Sequence, residues 1–191
     1  MRLFIAIELG ESVQNVAGTL IDLLRHRAAR EAPHSKVTWV EPGRMHLTLR
    51  FIGEIDSAQA ERILSVLRDP IDIAPFTVRW EGLGSFPRKG PPRVLWVGVA
   101  AGADRLTDLE SAVSGRLVTL GIPREERPYS PHLTLGRVRE ADGLRSAPLF
   151  QDLAPHLGET HVEAITLFQS HLSPKGPTYA VLQRTPLLRA G

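Results

Sequence analysis

Two copies of one tetrapeptide carry the residue types in this sequence best suited to chemistry: His46-Leu47-Thr48-Leu49 recurs letter for letter as His132-Leu133-Thr134-Leu135. Both copies lie in strand-like stretches and follow a turn containing proline. In an extended chain residues i and i+2 share a face, so each copy presents an imidazole and a hydroxyl on one side and sends two leucines into a core. Imidazole has an ordinary pKa of about 6.5, so near neutral pH one ring can accept a proton while the other donates one. The threonine hydroxyls can donate hydrogen bonds to the non-bridging oxygens of a phosphate held between them. A phosphodiester strained into a ring suits such a set, because it needs only a deprotonated water on one side and a protonated leaving oxygen on the other. A single copy would read as an ordinary strand with a surface or hydrogen-bonded histidine. Two copies on similar local structure read as a catalytic pair, with an old duplication kept for packing as the competing explanation.

The rest of the chain limits what else could act. It has no cysteine, which removes disulfides, thiolate metal sites and cysteine nucleophiles. Glu41 and Glu54 flank the first tetrapeptide without metal-ligand spacing, so neither a metal nor a cofactor is expected. No glycine-rich phosphate loop is present. The formal charge is only +2, yet 20 of the 23 basic residues are arginine. The guanidinium fork suits phosphate, but the arginines are spread along the chain as base composition alone would spread them, so charge does not by itself mark a nucleic-acid binder. Hydrophobic residues at 42% and charged residues at 23% are ordinary globular usage. The opening Met1 to Ser12 is too soon interrupted by Glu8 to be a secretory signal, and no run of eighteen apolar residues occurs. A cytoplasmic monomer without a membrane partner is expected.

The elements that must hold the pair follow from periodicity. Leu3 to Leu9 reads as a buried strand. Val13, Val16, Ala17, Leu20 and Leu24 fall at helical spacing within residues 12–29, closed by Pro33. Residues 36–55 read as two strands around a turn at Glu41 to Arg44, and Asp56 caps a second helix with Gln59 three residues on. Residues 76–100 form a hairpin with a long tip at Gly84 to Pro92. Leu106, Leu109, Val113, Leu117 and Leu120 mark a third helix, closed by Gly121 and Pro123. A strand covers His132 to Arg139, residues 140–160 carry few signals, and strands over 162–172 and 178–182 flank a turn at 173–177. Helices alternate irregularly with hairpin-like strands, which favours an α+β fold with antiparallel sheets in one domain over residues 1–191.

At these residues the sequence resembles the RNA 2′,3′-cyclic phosphodiesterase family, also called 2′-5′ RNA ligases, of the two-histidine phosphoesterase superfamily with its paired H-x-T-x motifs. The resemblance extends to MRLFIAIE at Met1 to Glu8, MHLTLRFIGE at Met45 to Glu54, PRVLWV at Pro92 to Val97, YSPHLTLGR at Tyr129 to Arg137 and LFQSHLSPKGPTY at Leu167 to Tyr179. It implies a bilobal, pseudo-twofold fold in which two antiparallel sheets with outer helices flank a central cleft. It implies an enzyme of RNA processing that opens cyclic phosphate ends to 2′-phosphomonoesters, with His46 as proton donor and His132 as proton acceptor. Thr48 and Thr134 would hold the phosphate, and Phe51 would stack on a base. Arg50 falls on the His46 face by alternation and could reach phosphate or point to solvent. Arg137 matches a basic family position, although strict alternation sets it opposite His132. Arg124, Arg127 and Tyr129 could grip the RNA strand or form a solvated loop. Hydrolysis of linear 2′-5′ linkages, reversible 2′-5′ joining of RNA ends, or binding of RNA ends without turnover are the competing functions. His26, His34, His156, His161 and His171 read as surface or packing residues, and Trp39, Trp80 and Trp96 as core.

Overall fold

The first strand, β1 (Arg2–Glu8), is buried over its middle five residues on both faces, which marks it as a central strand. In the computed structural model, which describes residues 1–173 and 176–188, it is hydrogen-bonded between β3 (His46–Glu54) and β8 (Ala164–His171), with β9 (Thr178–Pro186) beyond β8. All pairings in this sheet are antiparallel. A second, five-stranded sheet runs in the order β2 (Lys36–Trp39), β6 (Leu133–Glu140), β5 (Val94–Ala101), β4 (Phe76–Phe86), β7 (His156–Val162), again antiparallel throughout. The two tetrapeptides therefore lie in different sheets. The fold is α+β, as expected. Of the turn expected at residues 173–177, Pro174 and Lys175 lie outside the described residues.

Three helices take the places their apolar stripes require. Helix α1 (Glu11–Glu31) buries Val13, Ala17, Leu20, Ile21 and Leu24, ends before Pro33, and packs against β6 and β7 of the second sheet. Helix α2 (Ser57–Val66) starts at Asp56, whose carboxylate accepts the Gln59 N–H at 2.7 Å. Helix α3 (Ala103–Val118) buries Leu106, Leu109, Val113 and Leu117 and packs against β3 of the first sheet. Each long helix thus covers the sheet that holds the other half's tetrapeptide, and the chain crosses between the sheets repeatedly. Neither sheet with its helices is a continuous stretch of sequence.

Local structure departs from the sequence expectation at three places. Residues 36–54 do not form a hairpin: β2 joins β6 and β3 joins β1, with the 3₁₀ turn Pro42–Arg44 carrying the chain from one sheet to the other. The loop tip shrinks to residues 87–93, because Gly84 and Ser85 remain paired with Trp96 and Leu95. Residues 140–160 hold a short helix α4 (Ser146–Phe150) and β7, whose alternation is broken at Gly158 with φ +94°. No helix among the described residues is long and apolar enough to cross a membrane.

Candidate active site

Leu47, Leu49, Leu133 and Leu135 are all buried in the main core, and this anchors the strands that carry the histidines. Each tetrapeptide ends in a β-bulge at the same place. In β3 the register against β1 slips between Thr48 and Arg50, leaving Leu49 unpaired, and in β6 the register against β5 slips between Thr134 and Gly136, leaving Leu135 unpaired. An extra residue in a strand reverses the alternation beyond it. His46, Thr48 and Phe51 lie opposite Glu8, Ala6 and Phe4, of which Phe4 and Ala6 form the small aromatic cluster with Phe168. Arg50 instead lies opposite Ile5, a residue of the main core. Likewise Thr134 and Arg137 lie opposite Trp96 and Val94, while Gly136 lies opposite the buried Leu95. The fifth residue after each histidine thereby joins the histidine face: Phe51 in one sheet, Arg137 in the other.

The two rings are held alike. His46 Nδ1 lies 2.9 Å from the Arg44 carbonyl and His132 Nδ1 lies 2.7 Å from the Ser130 carbonyl, in each case two residues back along the chain. A carbonyl only accepts, so Nδ1 carries a proton in both rings and Nε2 is the nitrogen free to exchange one. Burial lowers both pKa values below the ordinary imidazole range, the carbonyls oppose that shift, and the Arg137 guanidinium adds to it at both rings. One cation that disfavours protonation of both imidazoles places them around a shared space. The strands agree, since Cα atoms of β3 and β6 come within 8 Å of each other.

Aromatic side chains frame both rings. His46 sits 4.8 Å from the Phe4 ring and edge-on to Tyr179 at 5.1 Å, and His132 sits edge-on to Phe86 at 5.0 Å with Trp96 at 6.3 Å. Trp39 is half-buried against the core and Trp80 is wholly buried, its indole N–H donating to Thr160 Oγ1 at 2.8 Å. Trp96 departs from the core expectation, since it lies beside His132 with its ring over Gly84. A Cβ on Gly84 would sit 2.1 Å from the Trp96 ring. Gly84→Ala is accordingly expected to lower stability by about 1–3 kcal/mol through overpacking. A thermal scan checks this, and an unchanged midpoint would mean the indole has another place to go.

The remaining candidates separate into two sets. Thr48 and Thr134 are half-buried beside their histidines, and among the described residues neither hydroxyl is spent on a protein partner. Tyr129 is tied across the gap, its phenol donating to the Thr48 carbonyl at 3.1 Å, and burial together with Glu110 raises its pKa. It links the approach to one tetrapeptide with the middle of the other. Arg50 neither faces His46 nor points to solvent: it is 4% exposed and donates to the Pro123 carbonyl. Arg127 and Arg124 are exposed in the loop before Tyr129, and Arg124 donates to Ser111 Oγ at 3.2 Å. The five other histidines are all exposed, and His26 is held to the Asp22 carbonyl at 2.7 Å. Phe4, Phe86, Phe168 and Tyr179 escaped the sequence reading. For Phe4 the even positions of β1 were the available signal; the others depend on pairings that no local pattern reveals. Among the described residues no three His, Asp or Glu side chains cluster in a way that could hold a metal.

Comparison with known proteins shows the family and the fold. The LigT-like phosphoesterase family matches twice, over residues 13–96 and 97–179, one match for each tetrapeptide. An RNA 2′,3′-cyclic phosphodiesterase of Archaeoglobus fulgidus is 34% identical over 96% of this chain and 98% of its own. A crystal structure of a Thermus thermophilus protein superposes with a TM-score of 0.76 at 31% identity, covering 98% of both chains. Escherichia coli LigT, solved with NADP+, superposes with a TM-score of 0.69 at 25% identity over the same share.

Proposed function

Because the chain belongs to the LigT-like phosphoesterase family, we propose that it hydrolyses 2′,3′-cyclic phosphodiester ends of RNA to 2′-phosphomonoesters by proton transfer between His46 and His132, without a metal. The observation that carries this reading is the matched pair of imidazoles, each fixed through Nδ1 by a carbonyl two residues back and both under the influence of Arg137. Neutral His132 accepts a proton from water at Nε2 while the water oxygen attacks phosphorus. As that bond forms, the bond from phosphorus to O3′ breaks, and His46 delivers its Nε2 proton to O3′. The assignment of acid to His46 and base to His132 follows the family resemblance. Thr48, Thr134 and Arg137 bind the non-bridging oxygens, on which charge accumulates in the transition state. Phe51, 54% exposed on the His46 face, offers a stacking surface to the base. Tyr129 acts through Thr48, as a strut that fixes the separation of the two strands. Residues 1–191 work as one bilobal domain, since each long helix covers the other half's sheet. The enzyme is proposed to act on RNA ends in the cytoplasm.

Incubation with a nucleoside 2′,3′-cyclic phosphate in EDTA tests this reading. The expected product is the 2′-monophosphate, formed at the same rate with and without the chelator. Loss of activity on chelation, or a 3′-monophosphate product, would overturn it.

A further inference from the structure

Among the described residues Arg50 is the one strongly basic side chain that the fold buries, and its guanidinium is incompletely paired. One terminal nitrogen donates to the Pro123 carbonyl, whereas Nε and Nη1 are shielded from solvent with no hydrogen-bond partner among the described residues. Glu125 is the nearest carboxylate, but its 3.5 Å separation from Nη1 is too long for a good hydrogen bond, and its side chain is 59% exposed. A buried cation with free donors costs free energy unless something accepts from it. Arg50 borders an open cavity of about 480 Å³ whose lining includes Phe51, Pro123, Arg124, Glu125 and Arg127. That volume is in the range of small-ligand sites.

The position of this cavity gives it an occupant. Phe51 belongs to two places at once: its ring lies 6.2 Å from Phe4 on the His46 face, and it forms part of the cavity wall. An RNA end with its terminal base on Phe51 would continue its chain, in the 5′ direction, past this ring. The Phe4 ring links the two, 4.8 Å from His46 and 6.2 Å from Phe51, so a phosphate at His46 leaves its own base at Phe51. The cavity therefore lies beyond the terminal nucleotide. We infer that it is a subsite for the nucleotide upstream of the cyclic end, whose phosphodiester displaces Glu125 from Arg50 and is gripped from outside by Arg127. Arg124 is held to Ser111 and shapes the wall. Glu125 and Glu126 also face the cavity, so a chain without a matching cation has only the displaced position open to it. The inference rests on the function proposed above and adds a preference for oligonucleotides over mononucleotides.

The test compares a mononucleotide and a trinucleotide, each ending in a 2′,3′-cyclic phosphate. The trinucleotide is expected to show a kcat/KM about tenfold higher, with a salt slope steeper by up to about 0.7, one additional neutralised phosphate on a single strand. Arg127→Ala is expected to bring the trinucleotide-to-mononucleotide ratio towards one, and Glu125→Gln to raise it, because the competing carboxylate is gone. Affinities for the same oligonucleotides ending in an unreactive 3′-phosphate, measured by fluorescence titration, provide the same comparison without turnover. A mononucleotide turned over as well as a trinucleotide, with equal affinities and no response to either substitution, would overturn the subsite and leave the proposed function standing. Absence of turnover on both cyclic substrates would instead refute the proposed function, and the affinities would then decide the subsite alone.

Discussion

Replacing His46 or His132 by alanine is expected to lower kcat on a nucleoside 2′,3′-cyclic phosphate by about 10²- to 10⁴-fold, the ordinary contribution of one positioned proton-transfer group. The fold should survive. Both rings sit among aromatic side chains on the face opposite the buried leucines, so truncation removes an edge contact and one hydrogen bond to a carbonyl, not a core side chain. A stability change of no more than about 1–2 kcal/mol is expected. In the proposed mechanism acid and base act in the same step, so their effects are not additive: the double variant should be scarcely slower than the worse single variant. KM should change less than kcat, because Thr48, Thr134 and Arg137 remain to bind the phosphate. Steady-state kinetics on the three variants, with a thermal scan of each, check this. A single variant that keeps a tenth of the wild-type kcat would remove its histidine from the mechanism, and a double variant slower by the product of the two single effects would mean that the rings contribute independently and not as a coupled pair.

Sequence carried most of the reading of these two residues, and the reason is local. The tetrapeptide, the leucines behind it and the helical stripes of α1 and α3 are all patterns within a short window, and each appears in the structure where its period places it, except Val16 of the α1 stripe, which is exposed. The failures are of another kind. Strict alternation put Arg50 on the histidine face and Arg137 off it, and a bulge after each tetrapeptide exchanges both assignments. A bulge is created by the partner strand's register, of which the bulged strand's own residues give no sign. Trp96 beside His132 depends on Gly84, twelve positions earlier, leaving room for the ring. The sheet that β2 would join was equally hidden, because the short turn at Pro42–Arg44 looks like a hairpin turn whether or not the strands on either side pair.

The repeated bulge also brings out where two halves with the same tetrapeptide differ. Both histidines, both threonines and both carbonyl anchors occupy matching places, and in the proposed reaction this symmetric part serves two proton transfers and two non-bridging oxygens. The fifth position breaks the match, with an aromatic ring in the first half and a guanidinium in the second. A nucleoside cyclic phosphate has the same asymmetry, a flat base at one end and an anionic phosphate at the other.

Arg137→Ala is expected to lower kcat/KM at its optimum by about 10- to 100-fold, through loss of a charge-assisted hydrogen bond to phosphate, and also to move the optimum to higher pH. The direction comes from the forces that hold the imidazoles neutral. In both rings burial is the largest cause of the lowered pKa, and Arg137 adds to it against the opposing carbonyl. The profile of kcat/KM reports the free enzyme, so its acidic limb marks protonation of the base and its alkaline limb deprotonation of the acid, each an apparent value of the coupled pair. With both values lowered, the wild-type bell is centred below the ordinary imidazole value of about 6.5. Removing the guanidinium lets both values rise, and the bell shifts up without reaching the free-imidazole position, because burial remains. Stability obeys the same sign. The folded state disfavours protonated imidazole, so the wild type loses stability as pH falls from about 6.5 through the lowered folded values, and the alanine variant should lose less over that window. Arg137→Lys separates the two effects. It keeps the charge, and with it the pH position, while losing the two-pronged grip on phosphate, so its kcat/KM should fall with its bell unmoved. Rate profiles spanning the acidic to mildly alkaline range on the three proteins decide the matter, and an alanine variant whose bell stays at the wild-type position would detach Arg137 from the histidine pair.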